Sequence, residues 1–274
     1  MNNPLSQFFR QPKIFVPLPS KGVYNKPGVI QGDPTNLPIY GMTGMDEILM
    51  KTPDALMTGE STVKVIESCC PSIKDGWDAS TLDTNMLLIA IRIATFGDNL
   101  HIAQSCKKCS TENDYEIKLT SLIEHYGSFK YDNKLVLKDL SIYIRPLTYK
   151  ESTEFSMRNF ELQQKISQID GIVDQAERNA LVSQLFQELG NLQREVFIQS
   201  IESIDIGHTS VTERDFIVEW LTNCDQEYYD SIRKHINMTK DSMQIPPYTV
   251  KCVECGAENS VIVDLDESNF FDKA

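Results

Sequence analysis

Four cysteines stand in two pairs of identical spacing, Cys106-Lys107-Lys108-Cys109 and Cys252-Val253-Glu254-Cys255. Two thiolates held two residues apart at the tip of a tight turn can converge on one ion. Two such pairs supply the four sulfurs of a closed tetrahedral site. The flanks match as well: CKKCSTEN and CVECGAEN share the pattern Cys-x-x-Cys-small-small-Glu-Asn. Cys106, Cys109, Cys252 and Cys255 are therefore the expected ligands of one structural Zn²⁺. The other readings are two separate incomplete sites, a redox dithiol, or plain thiols. A redox Cys-x-x-Cys opens a helix whose dipole lowers the thiol pKa, and neither pair precedes a helical pattern. Four thiolates leave no open coordination position, which disfavours a catalytic zinc.

The spacing between the pairs is unusual. In an ordinary zinc ribbon the second pair follows within about 15–20 residues, whereas 142 residues separate Cys109 from Cys252 here. A shared ion would staple two distant segments, which is physically reasonable because loop-closure entropy grows slowly with length. The odd total of seven cysteines speaks against a disulfide framework. Cys69, Cys70 and Cys224 lie in helical-looking stretches and are expected to pack as small hydrophobes.

The elements that must position the thiols can be read outward from them. Extended runs precede each pair (Leu100–Ala103, Tyr248–Lys251) and follow it (Tyr115–Leu119, Val261–Leu265), giving strand, turn and strand twice. Further upstream, Leu37–Thr43 and Ile142–Thr148 both read as a strand leading to a Thr cap and a helix with an acid in its first turn. An apolar helix precedes each knuckle, Met86–Ala94 in one case and Phe216–Leu221 in the other. The expected fold class is α+β: internally duplicated strand–helices–zinc-knuckle halves joined by one four-cysteine zinc site, with an inserted helical hairpin; the alternative is one irregular domain with two knuckles. The halves are drawn as 35–119 and 120–265. The hairpin is placed at 149–205, because Leu162, Ile166, Ile169 and Val173, then Val182, Leu185, Leu189, Leu192 and Val196, step by three and four around a break at Asp170-Gly171. Either its arms pack on each other or it docks a partner helix.

Residues 1–34 carry Phe8, Phe9, Ile14, Phe15, Val16 and Leu18 among six prolines, a density that excludes helix and central strand and predicts an extended arm lying either on its own core or on a partner's sheet edge or groove. The tail 266–274 ends in Asn269-Phe270-Phe271 and three further residues. Phe8, Phe9, Phe15, Phe270 and Phe271 are the candidate partner-binding side chains, with the tail folding back on its own domain as the alternative for the last two.

Composition narrows the function. With 26 Lys and Arg against 39 Asp and Glu, the formal charge of −13 repels phosphate backbones. Lys107-Lys108 in the first knuckle keep a zinc-ribbon nucleic-acid binder as the second reading. The chain is 41% hydrophobic and 24% charged, as expected of a soluble globular protein. No apolar run reaches a membrane span and no signal peptide is evident. His101, His125, His208 and His235 are scattered, and no nucleophile elbow, phosphate-binding loop or H-E-x-x-H is present, so no enzyme is expected.

Four parts of the chain carry a family resemblance. Pro17-Leu18-Pro19-Ser20-Lys21-Gly22-Val23-Tyr24 resembles the "PSKG-aromatic" opening of a tailed-phage baseplate family. Met42–Leu49 is similar to its "MT-x-x-DE-x-x-L" element, and Asp83–Gly97 to its "D-x-N-x-LLIA-x-RIA-x-YG" helix, which leads into a strand and a Cys-x-x-Cys. Cys252, Cys255, Phe270 and Phe271 resemble its C-terminal portion. The family comprises baseplate hub and hub-assembly proteins of T-even-like contractile-tailed bacteriophages. Departures fall at Gly41, where a charged residue followed by Pro is usual, at Phe96 for Tyr, and at Lys107-Lys108. The resemblance implies a structural subunit or assembly chaperone of the central baseplate. Its implied partners are other hub or tail-tube proteins. The implied location is the host cytoplasm during assembly, and then the virion tail baseplate for a retained subunit.

Overall fold

The computed structural model describes residues 3–52, 55, 57–169, 174–263, 265, 270 and 271. Contacts divide the chain into two units, Met1–Lys130 with Met243–Ala274, and Tyr131–Ser242.

The N-terminal segment is less extended than its prolines predict. A 3-10 turn spans Pro4–Phe8: Pro4 sits where the missing N–H is not needed, and the Asn3 side chain accepts from the Leu5 N–H at 3.0 Å. Strand β1 (Ile14–Val16) then pairs antiparallel with β2 (Leu37–Ile39), matching Ile14 to Ile39 and Val16 to Leu37. Val16, Leu18 and Val29 are buried, so the segment is built into the core of the first unit.

Helix α1 (Gly44–Met50) opens with the expected Thr cap. Thr43 accepts from the Asp46 N–H and the Asp46 carboxylate accepts from the Thr43 N–H at 2.7 Å, a reciprocal capping box. After α2 (Glu60–Cys69) comes α3 (Thr81–Phe96), capped by Ser80 and ended by Gly97 at φ +94°, a conformation that favours glycine. Helix α3 is apolar around nearly its whole circumference, and a helix of that kind must be central. Met86, Leu87, Leu88, Ile89, Ala90 and Ile91 are all buried. At Gly41 the chain leaving β2 passes so close to this helix that a Cβ would meet the Ala94 carbonyl oxygen at 2.9 Å. That close approach favours glycine at this position. The hairpin of β3 (Asn99–Ser105) and β4 (Glu112–Lys118) follows, with Leu100 opposite Ile117 and Ser105 opposite Glu112, and then α4 (Thr120–Ser128).

The second unit holds a four-stranded antiparallel sheet in the order β5 (Lys134–Leu137), β6 (Leu140–Ile144), β7 (Ile201–Ile206), β8 (Thr209–Val211). Between β6 and β7 run α5 (Tyr149–Gln168) and α6 (Gln175–Gln199). Thr148 and Glu151 form the second expected capping box, and Arg145 grips the Glu151 carboxylate with two bonds of 2.8 Å. Leu162, Ile169, Leu185 and Leu192 form a buried seam with Phe155, Ile166 and Leu189, so the arms of the hairpin pack on each other. The expected break at Asp170-Gly171, with Val173, lies outside the described residues. The helical span closes earlier than 205: Ile201 and Ile204 are buried strand residues pairing with β6. Helices α7 (Arg214–Asn223) and α8 (Gln226–Met243) cover the sheet through Ile217, Leu221, Ile232 and Ile236. The chain returns to the first unit as the hairpin of β9 (Tyr248–Lys251) and β10 (Glu258–Val261). Among the described residues no helix is long and apolar enough to cross a membrane.

Candidate metal centre

Each cysteine pair occupies the turn of a β-hairpin, and the two turns are built alike. The Cys106 N–H donates to the Thr111 carbonyl at 2.8 Å, and the Cys252 N–H to the Ala257 carbonyl at 2.9 Å. The Ser110 N–H reaches the Cys106 carbonyl at 2.9 Å, and the Gly256 N–H the Cys252 carbonyl at 3.0 Å. Ser110 and Gly256, the residues just after the second cysteines, both take positive φ, 61° and 67°. Their small side chains suit that tight left-handed step, the physical content of the "small" position in the repeated motif.

The two turns meet. Cys106 Sγ lies 3.7 Å from Cys255 Sγ and Cys109 Sγ lies 3.6 Å from Cys252 Sγ. All four sulfurs fall within 4.8 Å of one another. A disulfide needs about 2.05 Å, and all seven cysteines are free thiols. Four sulfurs placed tetrahedrally at about 2.3 Å from a common centre are separated by about 3.8 Å, so the observed spacing fits a metal ion. The arrangement is asymmetric in depth: Cys106 and Cys252 are buried, whereas Cys109 and Cys255 are exposed.

Electrostatics favours thiolate at the inner pair. Backbone N–H groups of Cys109 and Lys108 draw the Cys106 thiol down to about 6. The Cys255 N–H, with that of Glu254, lowers Cys252 in the same way against the effect of burial. Cys255 receives a lowering bond from the Ala257 N–H, but its neighbouring sulfurs Cys109, Cys106 and Cys252, with burial, push it up to about 11. Negative charge accumulates on the first thiols to ionise, and the last keeps its proton until a cation arrives.

Cys69 and Cys70 behave as expected of core residues, whereas Cys224 is only half-buried. Cys69 and Cys70 are fully buried, and burial pushes them up to about 12 and about 11. His101 lies on β3 with its Nδ1 3.0 Å from Asp114 Oδ2, outside the sulfur cluster.

The five candidate contact aromatics divide. Phe8, Phe9 and Phe15 are exposed, Phe8 by 76%. Phe270 and Phe271 are buried, stacked edge to face at 5.3 Å, with the Arg92 guanidinium 5.8 Å from the Phe270 ring. These two aromatics thus fold back on their own unit.

Two groups of polar contacts had no local signature. Arg10 anchors the N-terminal segment through the Ser68 carbonyl at 2.6 Å, the Gly41 carbonyl at 2.8 Å and the Asp46 carboxylate. Buried Asp83 accepts from the Ser20 N–H at 3.0 Å, the Ser20 hydroxyl, Asn25 Nδ2 at 2.6 Å and the Ser80 hydroxyl at 3.2 Å. Burial pushes its carboxyl upward, and the bonds from Ser20, Asn25 and Ser80 oppose the shift.

Fold and site together define a mixed helix-and-sheet protein whose C-terminal hairpin meets an earlier hairpin at a four-cysteine cluster able to bind a metal. A family model described as T4 bacteriophage base plate protein matches residues 43–272, and the chain belongs to that family. It is a phage baseplate protein, and other baseplate proteins are its partners. No curated protein and no solved structure matches it.

Proposed function

We propose that this baseplate protein serves the central hub, as a hub subunit or hub-assembly factor, and that it acts by binding proteins rather than by catalysis. The observation that carries the reading is the Ser20–Asp83 junction. Two of the segments that resemble hub proteins, 17–24 and 83–97, are 63 residues apart at these positions yet close into one buried hydrogen-bond network. The residues that resemble the hub family in these two segments are among those that fix the N-terminal segment to α3. Phe8, Phe9 and Phe15 of the same segment are exposed, and exposed aromatics are the chemistry of a protein contact.

The four-cysteine cluster in this reading holds one Zn²⁺. Soft thiolates in tetrahedral array suit zinc, and the ion would staple the C-terminal hairpin to the first unit without an open position for substrate. Metal analysis of purified protein should return about one Zn per chain; iron, two zinc ions or none would overturn this part. Co-purification with individual hub proteins tests the role, and replacing the exposed Phe8, Phe9 and Phe15 together by Ser should abolish it. Equal recovery by that variant would rule out the aromatic surface as the contact. Mass spectrometry of purified virions separates the roles, since a subunit is retained and an assembly factor is absent.

A further inference from the structure

The repeated motif extends beyond its cysteines to Glu112-Asn113 and Glu258-Asn259, and the metal cluster does not use those asparagines as ligands. Their side chains are exchanged between the hairpins. Asn259 Oδ1 accepts the Lys107 N–H at 3.1 Å, and Asn113 Oδ1 accepts the Val253 N–H at 3.0 Å. Lys107 and Val253 are the residues directly after the first cysteine of each pair. Each asparagine therefore reaches out of its own hairpin to bind the turn of the other.

The remaining atoms are also engaged. Asn113 Nδ2 donates to the Thr111 carbonyl of its own turn at 2.8 Å. Asn259 Nδ2 donates to the Ala257 carbonyl at 3.2 Å, and it lies 3.4 Å from Tyr115 Oη and 3.5 Å from Cys106 Sγ. Both residues are buried, on the inward-facing positions of β4 and β10. A carboxamide can do this because its oxygen accepts and its nitrogen donates at the same time. A buried side chain lacking the oxygen would leave the Lys107 or Val253 N–H without its acceptor.

We infer that Asn113 and Asn259 are reciprocal positioning residues: a pair of carboxamide clamps that hold the two cysteine turns together and present four thiols at ligand spacing before any metal binds. Among the described residues, the acceptor for the backbone N–H after each first cysteine comes from the opposite hairpin, so docking is what satisfies it. Two hairpins carrying the motif thus recognise each other, and the ion enters a site already assembled. Outer groups that orient metal ligands typically contribute 10–100-fold to affinity.

The clamp itself is argued without the ion; only the affinity readout rests on the metal reading proposed above. The test uses the full chain stripped with a chelator. Amide hydrogen exchange should show the Lys107 and Val253 N–H groups protected in the metal-free wild-type protein. In the metal-free variants, Asn259→Ala should release the Lys107 amide and Asn113→Ala the Val253 amide. Zinc affinity, measured by competition with a chromophoric chelator, should fall 10–100-fold in each variant. Exchange of both amides at unstructured-chain rates in the metal-free wild type would overturn the inference. So would variants that hold zinc within about twofold of wild type, a margin well inside that expected loss. If a variant does not fold, the wild-type exchange measurement decides. A wild type that binds no zinc while both amides stay protected refutes the metal reading and upholds the clamp.

Discussion

Removing the metal should lower the stability of the first unit selectively. The ion would join hairpins separated by the 142 residues between Cys109 and Cys252. Closing a loop of that size restricts the unfolded chain by about 5 kcal/mol in the chain-entropy model of a cross-link. Part of the contact survives without metal, because the asparagine bonds and the Ser121–Tyr248 hydroxyl contact of 2.6 Å remain. The expected loss is therefore about 3–5 kcal/mol, or a fall of about 10–15 °C in the melting temperature of a unit this size. Calorimetry with and without chelator measures it. The second unit contributes no thiol to the cluster and has its own cores on Ile142, Ile201 and Leu162, Leu185, so its transition should stay in place. Cys255→Ser should mimic chelation, and Cys224→Ser, which is not a member of the cluster, should not. Since Cys255 holds its proton up to about 11, binding should release protons and affinity should rise with pH. A shift below about 3 °C on complete metal removal, or an equal shift of both transitions, would refute the reasoning.

Other consequences are equally direct. Asp83→Asn turns one of two acceptor oxygens into a donor among groups that themselves donate, from Ser20 and Asn25, and should cost about 3 kcal/mol in chemical denaturation, the scale of breaking a buried polar network. Glu151 is held below the ordinary carboxylate value: burial works against this, but the Arg145 guanidinium and the Thr148 N–H outweigh it. Its contribution should be complete above the unfolded value of about 4.3 and lost as pH falls through the depressed folded value. Glu151→Gln should accordingly flatten that acidic limb in urea titrations of the second unit. Phe270→Ala should destabilise the first unit by about 3–5 kcal/mol, whereas Phe8→Ser should change stability by less than about 0.5 kcal/mol while weakening recovery of hub partners.

What can be read from the sequence is local. The cysteine turns, the Thr43 and Thr148 caps and the Leu162–Leu192 seam each depend on residues a few positions apart, and all are present in the structure. The misreadings have a common origin. Prolines at 4, 12, 17 and 19 declare what the backbone forbids, yet Pro4 opens a 3-10 turn, and they do not say which surface the segment covers, which Val16 and Leu18 show to be its own core. The expected hairpin overruns to 205 because a helical period cannot mark where β-branched Ile201 finds its strand partner Ile144. Arg10 with Ser68, Asp83 with Ser20, and Phe270 with Arg92 are meetings between distant segments, for which a single sequence carries no periodic signal. The exchanged asparagines fall in between: their repetition is visible in the sequence, but the exchange exists only once the hairpins dock.

The long gap between the cysteine pairs follows from insertion within insertion. In the second unit, Ile144 pairs with Ile201 and the Arg145 N–H donates to the Ser200 carbonyl at 2.9 Å, so the hairpin leaves and re-enters the sheet at one point. In the first unit, Ser121 of α4, shortly before the chain departs, touches Tyr248 of β9, shortly after it returns. A segment whose ends meet adds little closure cost to its host, since that cost grows only logarithmically with length. Each host can therefore carry its insert without losing its own register, provided the point of return is fixed. At the sheet, backbone pairing of β6 with β7 fixes it. The returning β9–β10 hairpin is a two-stranded sheet, and a lone hairpin of that kind is marginally stable. Its docking must come from elsewhere, and the four sulfurs and two exchanged asparagines lie where such a fastening is required.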